Sequence, residues 1–172
     1  MKLKSLVIGI LTMLVLVGIV AMTSNSTKNS AINNSQIKWY TLEEAVAANE
    51  KNPKKWVVDI YTDWCHWCKV MDKQTFTNPE VIQYMNENFY AVKFNGESKE
   101  KINFKGKEYK FVTAGRRGIN TLAYYWLDGR AAYPTIVYLD ENLEKLKKSP
   151  GFKKPTQLLA ELKSIEEMSS TD

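Results

Sequence analysis

Both cysteines of the chain stand in one short stretch, Asp59-Ile60-Tyr61-Thr62-Asp63-Trp64-Cys65-His66-Trp67-Cys68-Lys69. The run just before them, Trp56-Val57-Val58-Asp59-Ile60-Tyr61, reads as a buried strand. Its near-continuous apolar character suits a strand covered on both faces, as in a parallel pairing. A Cys-x-x-Cys that follows a strand in a βαβ pattern reads as a dithiol redox site. If Cys65 caps the helix that follows, the unpaired amides and the positive end of the helix dipole stabilise its thiolate. Cys68 then lies about one helical turn away, within disulfide reach.

Two other chemistries use the same residue types. A zinc site needs about four ligands, and this chain offers one Cys-x-x-Cys and a single histidine, His66, inside the loop itself. Haem attachment requires Cys-x-x-Cys-His, and position 69 is lysine. The expectation is therefore no metal and no cofactor beyond a redox-active Cys65–Cys68 disulfide.

Lys2, Lys4 and Ser5 precede an uncharged apolar run from Leu6 through Met22. Residues 1–22 read as an export signal or a membrane anchor, outside the fold. The run is longer than a usual signal core and short for a spanning helix, and an uncleaved anchor is the preferred reading. Either way the two lysines stay cytoplasmic and the body goes outside, to the periplasm or the outer face of the cytoplasmic membrane. Residues 23–36, rich in Ser, Asn and Thr, read as a flexible linker; 37–168 form the domain and 169–172 a tail. Having only two cysteines in an oxidising compartment points to a working pair rather than a staple framework. The net charge of +5 comes from scattered lysines, so no nucleic-acid surface is expected.

The stretch Val57 to Lys69 resembles the thioredoxin superfamily, whose motif reads roughly V-D-F-W-A-x-W-C-x-x-C-K. From Asp63 to Phe94 it is most similar to the C-terminal thioredoxin-like domain of the bacterial thiol:disulfide interchange reductases. Those also run from D-W-C-x-x-C-K into a Thr-Phe, an x-Pro-x-Val helix start and a strand. The resemblance covers about Ile37 to Met168. It implies an α/β, thioredoxin-like fold with a central mixed sheet flanked by helices. An inserted segment, about 95–117, precedes the fold's third helix, which starts near Asn120.

The resemblance also implies roles. Asp59, six residues before the first cysteine, matches the buried acid that accepts and returns the proton of the second thiol. Burial raises the pKa of such an acid and suits it to that exchange. Tyr133-Pro134-Thr135 matches the cis-proline loop that faces the dithiol and receives substrate backbone. Trp64 is expected beside the pair, limiting solvent. His66-Trp67 sets the redox poise: a positive imidazole near Cys65 favours the reduced form, whereas an imidazole turned to water does not. Trp64, His66, Trp67, Tyr133, Pro134 and Thr135 are thus the candidate substrate-binding residues. The dipeptide differs from the Gly-Pro of thioredoxin, which leaves the direction of electron flow open.

The other elements follow from local signals. Ile37–Tyr40 is a short strand, and Thr41-Leu42-Glu43-Glu44 a capping box. Asn78-Pro79-Glu80 starts a helix with an Asn cap and Pro in the first turn. Tyr90–Phe94 is a strand, and the insertion holds a hairpin around Gly106. Asn120–Leu127 is a helix, Ile136–Leu139 a strand, Asp140–Asn142 a turn, Leu143–Lys148 an outer strand, and Pro155 opens the last helix.

Together these predict an extracytoplasmic oxidoreductase that reduces protein disulfides. An open Cys65 attacks, a shielded Cys68 resolves, and a membrane partner supplies electrons. The alternative is a thioredoxin-like module that binds client proteins while the dithiol stays idle.

Overall fold

The computed structural model describes residues 35–114 and 116–168. The expected signal or anchor, most of the linker and the tail lie outside the described residues. Among those described, no helix is long and apolar enough to cross a membrane.

In chain order the first elements are β1 (Trp39–Tyr40), α1 (Leu42–Lys51), β2 (Lys55–Tyr61), α2 (His66–Gln74), α3 (Pro79–Asn88) and β3 (Phe89–Asn95). Two hairpins follow, β4 (Ile102–Phe104) with β5 (Lys107–Tyr109), and β6 (Phe111–Ala114) with β7 (Arg117–Asn120). The chain closes with α4 (Thr121–Trp126), β8 (Thr135–Leu139), β9 (Lys145–Pro150) and α5 (Pro155–Glu166).

Strand β2 is the centre of a five-stranded sheet ordered β1-β3-β2-β8-β9. It pairs parallel with β3 and antiparallel with β8, so the sheet is mixed, as in a thioredoxin-like fold. Side chains alternate across a strand. Trp56, Val58 and Ile60 therefore join one core, shared with Leu42, Leu122 and Trp126 of the flanking helices. Val57 joins the opposite core, with Met71 of α2, Val81 and Met85 of α3, and Leu158 and Leu162 of α5.

The helix starts obey the local signals. Thr41 Oγ1 accepts the Glu44 N–H at 3.1 Å while Glu44 Oε2 accepts the Thr41 N–H at 2.9 Å. Asn78 Oδ1 accepts from the amides of Glu80 and Val81, with Pro79 in the first turn. Each satisfies donors that a helix start otherwise leaves bare.

The insertion differs from expectation. The hairpin around Gly106 is present, its turn made by Lys105 and Gly106 at φ of 51° and 73°. A second hairpin, β6–β7, follows it and carries the segment to Asn120, past the expected boundary near 117. Its strands, four residues each, are too short to announce themselves by alternation. Gly118 is required there because the Phe111 ring lies on it; an added Cβ would sit 2.0 Å from that ring. Nor is the segment only surface decoration, since Ile102, Phe104, Tyr109 and Ile119 are buried in the core beside Trp56 and Trp126. The outer strand also starts later than expected, at Lys145. Asp140 Oδ1 accepts the amides of Asn142 and Glu144, and Leu143 turns left-handed at φ 64°, so the turn runs through Glu144.

Candidate functional site

Strand β2 ends at Tyr61, and the next turn delivers Cys65 to the N-terminus of α2. The Cys65 N–H donates to Thr62 O at 3.1 Å. Cys65 is the N-cap, and its Sγ accepts the Cys68 N–H at 3.1 Å. Cys65 and Cys68 form a disulfide with Cα atoms 5.3 Å apart. The first turn of α2 contains no acidic side chain. In the reduced state that amide and the helix dipole both favour a thiolate at Cys65, unopposed by a local carboxylate.

The expected openness of Cys65 is not met in this disulfide state. Cys65 is 4% exposed and Cys68 3%. The first sulfur is bonded to the second and turned toward the amides of its own helix, which leaves little of it facing water. What distinguishes the two sulfurs is the cap hydrogen bond, not accessibility.

The Tyr133–Pro134 peptide bond is cis. Pro134 O accepts the Gly151 N–H at 2.8 Å, and Thr135 Oγ1 donates to Ala132 O at 2.9 Å. Gly151, at φ 86°, holds a conformation that other residues avoid. A groove of about 300 Å³ is lined by Trp67, Tyr133, Pro134, Gly151 and Phe152. Trp67, which stands between the two cysteines in sequence, is the residue of the dithiol loop that lines this groove together with the proline loop. Trp67 tilts against Phe152 at 5.6 Å. His66 is exposed, its ring edge-on to Trp67 at 5.7 Å.

Trp64, expected beside the pair, follows directly on Asp63 and precedes Cys65 in the loop. It is 51% exposed and engaged on three sides. Tyr133 meets it edge-on at 5.9 Å, its Nε1–H donates to Glu97 Oε1 at 3.1 Å, and the Arg117 guanidinium lies 3.8 Å from its ring centre. Glu97 and Arg117 come from the insertion, and nothing in their spacing announces them.

Asp59 projects from β2 on the same face as Val57. It is 2% exposed and sits in register with Lys93 of β3. Lys93 Nζ donates to Asp59 Oδ2 at 3.1 Å and also to Asp72 Oδ1 of α2. The ammonium lies 5.1 Å from the Trp39 ring, 5.0 Å from Tyr61 and 5.6 Å from Phe76. Asp59 Oδ1 is buried without a hydrogen-bond partner among the described residues, as is Thr62 Oγ1 nearby in sequence. Burial pushes the Asp59 carboxyl up to about 6; Lys93 holds it back and Asp72 adds to the rise. For Lys93, burial pulls downward, but the two carboxylates outweigh it and keep the ammonium above its ordinary pKa. Sequence reasoning found Asp59 and missed Lys93 and Asp72. The available signal was a charge inside the alternating Tyr90–Phe94 run. Among the described residues, no group of three or more His, Cys, Asp or Glu is placed to hold a metal ion.

A family model, Thioredox_DsbH (protein of unknown function, DUF255), matches residues 21–167. Uncharacterized protein B0495.5 of Caenorhabditis elegans is 29% identical over 86 residues, covering 49% of this chain and 12% of that one. Thiol:disulfide interchange protein DsbD of Tatumella citrea is 30% identical over 111 residues, covering 63% of this chain and 16% of its own length. The chain thus spans only a small part of these curated relatives. Among solved structures, a DsbH oxidoreductase superposes with a TM-score of 0.56 at 15% identity, covering 85% of this chain and 95% of that one. The thioredoxin-like fold expected from the motif is the fold observed.

Proposed function

This chain belongs to the Thioredox_DsbH family, and from that premise we propose that it is a protein thiol:disulfide oxidoreductase acting outside the cytoplasm in the reducing direction. The observation that carries the reading is the Cys65–Cys68 disulfide at the mouth of α2, whose loop residue Trp67 shares a groove with cis-Pro134. The redox group is the cysteine pair itself, with no added cofactor or metal.

The cycle balances on sulfur alone. In the reduced protein, the Cys65 thiolate attacks one sulfur of a target disulfide. The target S–S bond breaks, a Cys65–target S–S bond forms, and the departing thiolate takes a proton from water. Cys68 then loses its proton to the Asp59 carboxylate and attacks Cys65 Sγ. The mixed disulfide breaks, the Cys65–Cys68 bond forms, and the second target thiolate leaves and is protonated. Two electrons have passed to the target. A carboxyl near pKa 6 suits Asp59 to this transfer, because it is largely ionised at neutral pH yet holds a proton more readily than a free aspartate. Backbone of the target lies along the groove beside Pro134, against Trp67 and Tyr133. A dithiol donor in the membrane returns the two electrons by the reverse exchange.

The location rests on the apolar N-terminal run and on the likeness to an interchange protein. The reducing direction rests on the similarity of Asp63–Phe94 to the interchange reductases.

Insulin reduction with dithiothreitol tests the reading. Wild type accelerates precipitation of the insulin B chain, and Cys65→Ser falls to the uncatalysed rate. Equal rates would favour a client-binding module with an idle dithiol. Cys68→Ser traps targets on Cys65 as adducts that reductant releases; a pull-down with no reductant-sensitive partner would remove the exchange mechanism.

A further inference from the structure

We infer that Arg117 is a positioning residue of the dithiol site: from the β6–β7 hairpin it holds the Trp64 indole as one wall of the surface that receives a protein disulfide. This rests on the oxidoreductase reading above and adds the means by which a protein target is recognised.

Trp64 adjoins Cys65 in the chain, so the place of its indole shapes the approach to the first sulfur. An indole half exposed to water has little packing to fix it. Here it is held all the same. The guanidinium carbon of Arg117 lies 3.8 Å from the ring centre, a stacking distance. Tryptophan offers the best face for a cation, and the planar guanidinium matches it as an ammonium cannot. Glu97 Oε1 accepts the indole N–H at 3.1 Å and lies 4.0 Å from Arg117 Nη1, so one carboxylate braces both partners from the side.

The hairpin that brings Arg117 is itself fastened to the strand below the dithiol. The Asn120 N–H donates to Gly96 O at 2.8 Å, and the Gly96 N–H donates to Tyr61 O at 2.8 Å. Asn120 is fully buried, and its Nδ2 bridges the carbonyls of Ser98 and Glu100. Gly96 is glycine because the Tyr133 ring rests on it, 2.7 Å from where a Cβ would stand. Tyr133 in turn meets Trp64 edge-on and opens the groove beside Pro134. The insertion therefore reaches the site through a continuous set of contacts, from Asn120 and Gly96 to Arg117, Trp64 and Tyr133.

Tryptophan, tyrosine and arginine are the residues most enriched where proteins bind proteins. A wall held in place before binding loses less freedom when a target docks than one that must be ordered at that moment. The occupant is an extended protein segment carrying the target disulfide, large enough to touch Trp64, Trp67 and Tyr133 together.

Arg117→Ala and Arg117→Lys test this on the full chain. Arg117 is 54% exposed, and its replacement removes no core packing. In Arg117→Ala the KM for insulin rises about fivefold, the scale of one modest interface truncation, while kcat stays within about twofold. Arg117→Lys keeps the charge without the planar face and behaves like the alanine variant. The Trp64 indole N–H resonance, identified by its loss in Trp64→Phe, shifts and exchanges faster with water in both variants. An active wild type whose KM is unaltered by Arg117→Ala overturns the inference alone, and so does Arg117→Lys matching wild type. A wild type inert toward insulin overturns the oxidoreductase reading and this inference with it.

Discussion

On one face of β2, Trp56, Val58 and Ile60 are wholly buried among apolar side chains from α1, α4, β8 and the first inserted hairpin. On the other face Val57 is followed by Asp59 and Tyr61, and the core there gives way to the Asp59–Lys93–Asp72 cluster. The same backbone and the same hydrogen bonds serve both. The difference teaches where this fold keeps its stability and where it keeps its chemistry. On the first face all three β2 side chains serve packing, whereas on the second only Val57 does, in the opposite core. The second carries a buried carboxylate that stability alone would not select, because desolvating a charge costs more than a single ion pair commonly returns.

The hardest test of that division is Phe104→Ala. Phe104 is 2% exposed and packs edge-on against Trp126 at 5.3 Å and Trp56 at 6.5 Å. Its truncation should cost about 3–5 kcal/mol, read as a lower urea midpoint. The exchange rate of the molecules that remain folded should not change. A variant that keeps its stability would mean the inserted hairpin is not part of the core. One that loses exchange activity while still folded would mean the two faces are not separable.

Asp59→Asn sharpens the comparison from the other side. Below about pH 4 the carboxyl is protonated in folded and unfolded chains alike, and its burial costs little. As pH rises from 3.8 toward about 6, the unfolded chain has released this proton and the folded one has not. The folded state then binds more protons, so stability falls as pH rises, levelling above about 6. Roughly two units of difference correspond to about 3 kcal/mol. Asp59→Asn should therefore be the more stable protein at pH 7, by up to about 3 kcal/mol, with that part of the pH dependence gone. Its attack on a target should continue while release from the mixed disulfide slows. Chemical denaturation at pH 4 and pH 7, with single-turnover exchange, reads both. Equal stability at both pH values in wild type would mean Asp59 is not strained by burial.

What the sequence made legible was local. The dithiol, its capping of α2, the capping box at Thr41, the Asn78 cap and the proline loop each sit within a few residues of the signal that betrays them. Asp59 stood out because it breaks an apolar run, and the resemblance to thioredoxins supplied the reading of its place six residues before Cys65. Lys93, Asp72, Glu97 and Arg117 were not legible, because each reaches its partner through strand register or through the insertion, and one sequence carries no mark of such pairings. The β6–β7 hairpin escaped for a related reason: strands this short, with Gly118 inside one and basic residues at the turn, imitate a loop. The burial of Cys65 escaped too. Spacing alone says that the sulfur can cap a helix; it does not say that the cap and the disulfide together hide it.

Asp72→Asn is the smallest and most selective perturbation of the polar face. Asp72 is 41% exposed, so its pairing with Lys93 is screened by water and its loss should cost under about 1 kcal/mol. Its effect on Asp59 is of a different kind. The Asp72 charge raises the Asp59 pKa directly and also engages the ammonium that lowers it. With that charge removed, Lys93 serves Asp59 alone, and the Asp59 carboxyl should titrate lower, by no more than about one unit. The midpoint of the pH profile for release from the mixed disulfide, or a direct nuclear magnetic resonance titration of the Asp59 carboxyl carbon, reads that displacement. At neutral pH the lower Asp59 pKa adds up to about 1.4 kcal/mol while the lost pairing removes under about 1 kcal/mol, so the net change in stability should be small and the shift of the pH profile is the readout that separates electrostatic tuning from packing. If the midpoint stays where it was or rises, Asp72 is a surface partner of Lys93 and nothing more, and the polar face of β2 reduces to the Asp59–Lys93 pair.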